Sequence, residues 1–498
     1  MNVNPITRLD YPDLDVIRVE DTYYMVSTTM HFMPGCEILQ SFDLVHWEHV
    51  TYVYETLDHT DAQQLKSGQN IYGQGMWAAS LRYHEGRFCI CFVANDTRKT
   101  YLYTSEKIDG PWKKQLIEGF YHDGSLLFDE DGRNYIVYGN DEIWITELNE
   151  DLTAPKKDGL HRLLVSDHKN PELGYEGSHI QKINGYYYIF LIHSLRDRWM
   201  RTEACFYSDS LEGEFTGGDV LCDDRGYCGQ GVAQGGIVDT PDGKWYAMLF
   251  QDSGAVGRIP ILLPVTWKDH FPFFGQNGHV PEEIEVHSTR PGYIYQPLVG
   301  SDDFCNGLLP RWQFNHDPDP RYYHLDALQG TYTITTREVC TELTQAVNTL
   351  TQRMGYPSCA AEVTVDASAL KEGDVAGLCA LQSCYAAVGI TKHHGKYEVL
   401  MLDKKEDGIL DMTEGTVVES HQMDFRLEAD FCNMKDEARC YYRVNKGDWL
   451  PIGTVHKLYF KLDHFTGCRF GLFCYAAEET GGSACFRDFK YYDVDEIS

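Results

Sequence analysis

The stretch Asn184-Gly-Tyr-Tyr-Tyr-Ile189 joins a two-residue turn signal to the start of an aromatic-rich strand. Asn-Gly and Asp-Gly pairs tolerate the positive backbone angles of a tight hairpin, and aromatic residues favour the strand that follows. Five copies of this pattern begin 46 to 64 residues apart in the first 300 residues. The other four are Asp21-Thr-Tyr-Tyr-Met-Val26, Glu85-Gly-Arg-Phe-Cys-Ile90, Asp131-Gly-Arg-Asn-Tyr-Ile136 and Asp242-Gly-Lys-Trp-Tyr-Ala247.

A repeat of about 50 residues that holds about four short strands is typical of a β-propeller. Five copies therefore predict a five-bladed propeller over residues 1–295, and an irregular β-sandwich with chance turns is the alternative. A segment rich in Pro and Gly follows at residues 289–301. The remaining residues alternate in strand-like runs, so we expect a second all-β domain, a jelly-roll sandwich, over residues 301–498.

The repeat also predicts which residues meet at the propeller axis. Eight residues before each turn, where the first strand of each blade should start, stand Asp13, Trp77, Asp123, Glu176 and Gln234. Three carboxylates in one partly desolvated funnel push one another's pKa values apart, which lets one act as a base and another as an acid. The alternative explanation for any one of these acids, taken alone, is that it caps a turn at the start of a strand. Hydrolysis of a glycosidic bond needs such a pair, and an indole offers a flat face to a sugar.

Composition narrows the ligand class. The formal net charge is −32 and no cluster of Lys and Arg offsets it, so we expect neither nucleic acid nor a membrane surface as a partner. The 16 cysteines include no CxxC pair, which predicts reduced, mostly buried thiols. Since the N-terminus lacks a signal-peptide pattern and no stretch has the ~20 apolar residues of a membrane span, we expect a cytoplasmic protein.

Three segments carry a family resemblance: Tyr11-Pro-Asp-Leu14, His122-Asp-Gly-Ser-Leu-Leu-Phe128 and Glu176-Gly-Ser-His179. With them, the first 300 residues resemble glycoside hydrolase family 43, whose members invert configuration. The resemblance implies that Asp13 is the general base and Glu176 the general acid. It also implies that Asp123 raises the pKa of the acid and orients it.

The last 200 residues resemble the concanavalin-like sandwich of the β-xylosidase branch, with Ser301-Asp-Asp-Phe304 and Phe486-Arg-Asp-Phe-Lys490 as landmarks. In the family this domain often sends a phenylalanine over the active-site mouth, and Phe465 is the candidate here. A core phenylalanine, or an independent sugar-binding role for the domain, is the alternative. The resemblance also implies substrate contacts in the propeller, at Phe32, Trp77, Gln234 and Arg258.

Metal is not part of this expected chemistry. Several family members hold a structural calcium near a histidine in blade five, but here that position is Ala233, followed by Gln234. The amide is a poorer cation ligand, so a structural calcium stays open. The motifs of serine hydrolases, zincins, P-loops and dinucleotide folds are absent.

Together these features predict an inverting exo-glycosidase that releases terminal β-D-xylose, α-L-arabinofuranose or both. The substrates would be oligosaccharides from plant-cell-wall xylan or arabinan. A non-catalytic oligosaccharide-binding protein and a hydrolase of another plant glycan are the alternatives. The fructan-cleaving relatives open with an Asn-Asp-Pro-Asn-Gly block that this sequence lacks. A homo-oligomer is left open.

Overall fold

The computed structural model describes residues 3–413 and 415–493. The predicted all-β architecture is confirmed, with a five-bladed propeller followed by a β-sandwich. Within the described residues, none of the helices is long and apolar enough to cross a membrane. The helices in that part of the chain are 3₁₀ turns at Lys66–Gly68, Gly254–Val256, Leu343–Gln345 and Cys432–Met434.

Each blade is a four-stranded antiparallel sheet whose strands follow one another along the chain. Blade one consists of Asp15–Val19, Thr22–Val26, Gly35–Ser41 and Glu48–Tyr54. Blade two consists of Met76–His84, Arg87–Ala94, Lys99–Ser105 and Lys113–Ile117. Blade three consists of Ser125–Phe128, Asn134–Asn140, Glu142–Leu148 and His161–Ser166. Blade four consists of Glu176–Ile183, Tyr186–Ser194, Arg201–Ser208 and Thr216–Leu221. Blade five consists of Val232–Asp239, Trp245–Asp252, Arg258–Lys268 and Phe271–Phe274.

The five turns of the repeat join the first strand of each blade to the second. In blade four, for example, Ile183 pairs with Tyr186 around the Asn184-Gly185 turn. The first strands of neighbouring blades contact each other, and the first strand of blade five contacts that of blade one, which closes the ring. The starts of all five first strands therefore lie at one end of the axis.

A backbone feature that the repeat does not predict recurs at this end. One residue near the start of each first strand has a positive φ, from 35° to 65°. The pairing in blades two, four and five is also interrupted there, as in a β-bulge. Such kinks turn side chains away from the regular pleat, and they are common beside active sites. The five residues are Asp13, Ala78, Asp123, Gly177 and Gln234.

The C-terminal unit is a sandwich of two antiparallel sheets. The first sheet contains, in spatial order, Phe32–Met33, Gln313–Asn315, Leu350–Arg353, Arg469–Ala476, Asp374–Leu381, Ala386–His393, Lys396–Lys404 and Leu410–Met412, and Thr416–Val418 also pairs with Lys396–Lys404. The second contains Tyr323–Asp326, Thr331–Thr335, Ser483–Asp493, Ser358–Asp366, Gln422–Asp430, Glu437–Val444 and Leu450–Lys457. Because Phe32–Met33 belongs to the propeller, the two units share a sheet.

The interface between the two units contains buried polar contacts. The Glu37 carboxylate of the propeller pairs with the Arg353 guanidinium of the sandwich at 2.9 Å, and that guanidinium lies 4.1 Å from the centre of the Tyr11 ring. The Asp436 carboxylate accepts a hydrogen bond from the Ala255 amide at 3.1 Å. Unpairing a buried charge costs several kcal/mol, so these contacts hold the sandwich in one orientation on the propeller.

The cysteines are free thiols, and ten of the 16 are buried. Burial raises the pKa of the Cys36 thiol and that of Cys91, so both stay protonated and behave as small apolar groups.

Candidate active site

The structure brings together residues that lie far apart in the sequence. Asp13, Asp123 and Gln234 line one small cavity on the propeller axis, together with His179. The cavity measures about 10 Å³, which is enough for about one water molecule. Glu176 lies beside it, because its Oε2 is 3.6 Å from His122 Nε2 and that same nitrogen is 3.6 Å from Asp123 Oδ2. The three acids therefore converge from blades one, three and four.

Asp13 is buried and accepts a hydrogen bond on each carboxylate oxygen. Arg258 Nη1 donates to Oδ1 at 2.9 Å, and Thr28 Oγ1 donates to Oδ2 at 2.7 Å. The Thr28 hydroxyl also accepts from the Ala78 amide, at the kink of blade two. Hydrogen bonds to both oxygens hold the carboxylate in one orientation.

Asp123 and His122 form a charged pair under the site. The pKa of Asp123 is raised to about 6. Burial is the largest cause and outweighs the opposing effect of the His122 imidazolium, and Glu176 and Asp13 also contribute to the rise. Asp123 in turn raises the pKa of His122 to about 9, with a smaller contribution from Glu176. At pH 7 the imidazole is therefore protonated, and it lies between the carboxyl groups of Asp123 and Glu176.

Glu176 is the most accessible of the three acids, and its side chain is about a quarter exposed. Asn140, at the end of a blade-three strand, donates from Nδ2 to Glu176 Oε2 at 2.8 Å. The next residue, Gly177, donates its amide to Asp123 Oδ2 at 2.9 Å. Asp123 thus fixes both the backbone and the electrostatic surroundings of Glu176.

The sandwich contributes an aromatic ring to this end of the propeller. Phe465 lies 5.4 Å from the Trp77 ring, and the Arg258 guanidinium lies 4.3 Å from the Phe465 ring centre. Arg258 Nη2 also donates to the Phe465 carbonyl at 3.5 Å. The aromatic and cationic residues proposed for the pocket therefore form one wall, in which Phe465 comes from the other domain.

Phe32 needs a correction. The expected role was a wall of the sugar pocket, but its side chain has no exposed surface. Arg469 lies 3.5 Å from its ring centre, and the ring packs with sandwich residues such as Phe473. Its strand joins the sandwich sheet, and this pairing turns the ring into the interface. A ring without exposed surface offers no face to a sugar, so Phe32 stabilises the domain contact.

Gln234 lies at the axis, and its position depends on a buried acid. The backbone N–H of Gln234 donates to Glu203 Oε2 at 2.7 Å, and burial raises the pKa of Glu203 well above its usual value. A Cβ on Gly177 would come within 2.7 Å of the Gln234 side chain, so only glycine fits beside it.

Asp10 connects the Arg258 strand of the propeller to the sandwich loop that carries Phe465. Its Oδ1 accepts from the Arg258 amide at 2.7 Å, and its Oδ2 accepts from the Gly467 amide at 2.8 Å. A Cβ on Gly467 would lie 2.2 Å from the Val256 carbonyl oxygen and 2.7 Å from the Asp10 Cβ. One buried carboxylate thereby ties the two domains together three residues before Asp13.

Several of these positioning residues have no signal in the sequence. Thr28, Asn140 and Glu203 lie in or just after second or third strands of their blades, where the repeat gives no register for the axis. His122 is the exception, because it precedes Asp123 in the chain and the proximity of an imidazole could be anticipated.

Asp15, near the axial cavity, is not free to bind a calcium ion. Below the cavity, Asp15 accepts from the Arg82 guanidinium at 2.7 Å, the Leu81 amide at 2.8 Å and His179 Nδ1 at 3.1 Å. Calcium takes six to eight oxygen ligands, whereas this carboxylate is fully engaged and a guanidinium already supplies positive charge. Ligand-capable atoms of His122, Asp123 and Glu176 lie within 4.8 Å of one another, but an imidazolium between carboxylates suits proton sharing.

The comparisons with known proteins agree along the whole chain. The family model described as "Glycosyl hydrolases family 43" matches residues 3–272, and "Beta xylosidase C-terminal Concanavalin A-like domain" matches residues 301–492. A "Beta-xylosidase" of Formosa agariphila is 26% identical over 99% of this chain and 89% of its own length.

Two solved structures are similar over almost the whole of this chain. The structure described as "Bifunctional GH43-CE Bacteroides eggerthii" is 42% identical, with a TM-score of 0.92 over 99% of this chain and 63% of that chain. The chain thus spans less than two thirds of that bifunctional protein. A second structure is 27% identical, with a TM-score of 0.87 over 99% of both chains. It is described as an engineered GH43 glycoside hydrolase with both endo-xylanase and exo-arabinofuranosidase activity.

Proposed function

Because the chain belongs to glycosyl hydrolase family 43, and is therefore a glycosidase, we propose that it releases terminal pentose from xylan- or arabinan-derived oligosaccharides with inversion of configuration. β-D-Xylose is the first expected product, in line with the name of the Formosa agariphila relative. α-L-Arabinofuranose is the second, in line with the exo-arabinofuranosidase activity of the engineered enzyme.

The observation that carries this proposal is the pairing of a doubly hydrogen-bonded Asp13 with a more accessible Glu176 on another blade. Asp13 acts as the general base and takes a proton from the attacking water. Glu176 acts as the general acid and gives its proton to the leaving oxygen. An inverting hydrolysis needs one carboxyl group in each protonation state at the same time.

Asp123 and His122 keep Glu176 in its role. His122 Nε2 lies 3.6 Å from a carboxyl oxygen of Asp123 and 3.6 Å from one of Glu176, so these three side chains form one cluster. Asn140 fixes the direction of the Glu176 carboxyl group, and the Gly177 amide ties the neighbouring backbone to Asp123. Asp123 therefore orients the acid through the backbone of the next residue.

The exo action is supported by Phe465. This ring stands against Trp77 and Arg258, so the sandwich narrows the pocket at the wall where Arg258 would bind the terminal sugar. A chain that extended past this wall would meet the loop 461–468, which is tied down through Asp10. We infer that one pentose unit fits between Phe465 and the scissile bond.

The test is turnover of nitrophenyl β-D-xylopyranoside and nitrophenyl α-L-arabinofuranoside by Asp13→Asn and Glu176→Gln variants. Each change should lower kcat/KM by about 10²- to 10⁴-fold. Glu172→Gln is the matched control, because Glu172 is exposed and lies on the same rim. Glu176→Gln should lose less with a dinitrophenyl leaving group, which needs no protonation.

Proton NMR of the first sugar released reports the stereochemistry. With a β-xyloside, the α-anomer should appear first. Release of the β-anomer, or full activity of either variant, would refute the assignment of Asp13 and Glu176.

A further inference from the structure

Trp199 is unusual among the nine tryptophans, since it is the one whose side chain is largely exposed, at 45%. It lies in the loop between strands Tyr186–Ser194 and Arg201–Ser208 of blade four. Glu176 pairs with Ile192, near the same end of this sheet. The loop therefore emerges on the face that carries the three acids, next to the blade that supplies Glu176.

Contacts between rings and guanidinium groups link Trp199 to the pocket. The Arg201 guanidinium lies 5.5 Å from the Trp199 ring and 5.3 Å from the Phe250 ring. The Arg258 guanidinium lies 5.4 Å from that same Phe250 ring. Arg201 also bonds to Asp252, which pairs with Arg258 across the strands of blade five.

The loop that presents Trp199 is ordered by local hydrogen bonds. The Leu195 amide donates to the Met200 carbonyl at 3.1 Å, and the Met200 amide donates to the Ser194 hydroxyl at 3.1 Å. Arg196 bonds to Asp167 in the loop that leads to Glu176. The indole is therefore preorganised, and a ligand that stacks on it would lose little loop entropy on binding.

Phe465 and Arg258 close one side of the pocket, so the rest of a bound oligosaccharide has to extend from the pocket on another side. Glu176 has to face the leaving oxygen, and Trp199 lies on the blade that bears Glu176. Arg201 and Phe250 lie between Trp199 and Arg258, so Trp199 stands outside the wall that Arg258 forms.

We propose that Trp199 is a binding platform for a distal sugar unit on the leaving-group side, so that the enzyme selects neutral oligosaccharides of three or more units. Exposed aromatic faces are apolar enough to bind the flat face of a sugar, and tryptophan is the residue that most often dominates binding energy in such contacts. The inference rests on the proposed function, because it takes Glu176 as the acid that faces the leaving group.

The test compares kcat/KM for xylotetraose with kcat/KM for xylobiose, and the same ratio for the matching arabino-oligosaccharides. The wild-type ratio should exceed one, and Trp199→Ala should lower it by about five- to tenfold. Trp199→Tyr should recover most of it, since the platform is kept. Using the ratio cancels any general damage to the catalytic groups.

Tyr83→Ala is the matched control. Tyr83 is also 45% exposed, but it lies beside the turn at Glu85, at the opposite end of the axis. The ratio should not change in this variant. An equal ratio for wild type and Trp199→Ala, or an equal fall in Tyr83→Ala, would overturn the inference.

Binding to the Glu176→Gln variant separates the two proposals. Calorimetry should show that the Kd for xylotetraose rises about five- to tenfold when Trp199→Ala is added to Glu176→Gln. This Kd does not depend on the rate of hydrolysis. A wild-type enzyme that cleaves neither series would refute the proposed function alone. An unchanged Kd in an enzyme that cleaves xylobiose would refute the role of Trp199 alone.

Discussion

Replacing His122 by phenylalanine should move the acidic limb of the pH–rate profile upward. Burial, partly offset by the imidazolium, puts the pKa of Asp123 at about 6, and Asp123 puts that of His122 at about 9. Between these values the imidazolium and the Asp123 carboxylate coexist. Because we expect Asp123 to act in its ionised form, activity should fall as the pH drops through about 6. Phenylalanine keeps the approximate size of the ring and removes its charge.

The distance sets the size of the effect. Two unit charges 3.6 Å apart attract by about 4 to 5 kcal/mol at an effective dielectric constant of about 20, which equals about three pKa units. Because the His122 side chain is 21% exposed, solvent screens part of this attraction. We therefore expect the limb to rise by about one to two pH units, because Asp123 loses the charge that favours its ionised form.

The assay is kcat/KM for a nitrophenyl pentoside between about pH 4.5 and pH 9, where the limb reports groups of the free enzyme. His84→Phe is the matched control, because His84 stacks on Phe128 at the other end of the axis and its profile should match wild type. A limb that stays near pH 6 in His122→Phe, or moves to lower pH, would refute the electrostatic role of His122.

Two further predictions concern the contacts between the domains. Asp10→Asn and Gly467→Ala should each lower kcat/KM about tenfold. The amide side chain of the Asp10→Asn variant would have one acceptor oxygen for two N–H donors, and the Cβ added at Gly467 would lie 2.2 Å from the Val256 carbonyl oxygen. Gly218→Ala, where a Cβ meets nothing within 4 Å, should behave as wild type in the same kinetic assay. Arg353→Met should lower the free energy of unfolding in urea by about 3–5 kcal/mol, because it leaves Glu37 buried and unpaired; adding Glu37→Gln should restore part of it, and no loss in the single variant would contradict the role of the pair.

The pH dependence of this ion pair has a definite sign. Burial raises the pKa of Glu37, but Arg353 and His49 more than offset it and hold the value at about 2. A carboxyl group whose pKa is lower in the folded protein than in the unfolded chain stabilises the fold at pH values above its ordinary pKa. The stabilisation is therefore present at neutral pH and is lost as the pH falls from 4.5 toward 2.

The propeller could be predicted because its information is local and repeated. Each turn consists of neighbouring residues, and each turn sets the register of the strand before it. Counting back from Asp131 therefore reached Asp123, and counting back from Asn184 reached Glu176. Closure of the ring then placed both residues at the same end without any knowledge of the contacts between them.

The surroundings of the acids could not be predicted, because they depend on contacts between elements. The positive φ of Asp13 and Asp123 interrupts the regular alternation that a strand pattern assumes. Phe32 is a second residue whose surroundings depend on contacts between elements. Its place in the sequence suits a pocket wall, but pairing with the sandwich strand Gln313–Asn315 turns it into the interface. The exposure of Trp199 likewise follows from loop packing.

The buried interface fixes the sandwich loop that carries Phe465 against the candidate active site. A detachable binding module would meet the propeller through an exposed, weakly bonded surface. Here Asp10 uses one oxygen for a propeller amide and the other for a sandwich amide, and the same sandwich loop places Phe465 on Arg258. Since Arg258 also bonds to Asp13, a change in how the sandwich sits would reach the base through two contacts. We therefore expect the minimal catalytic unit to contain both domains.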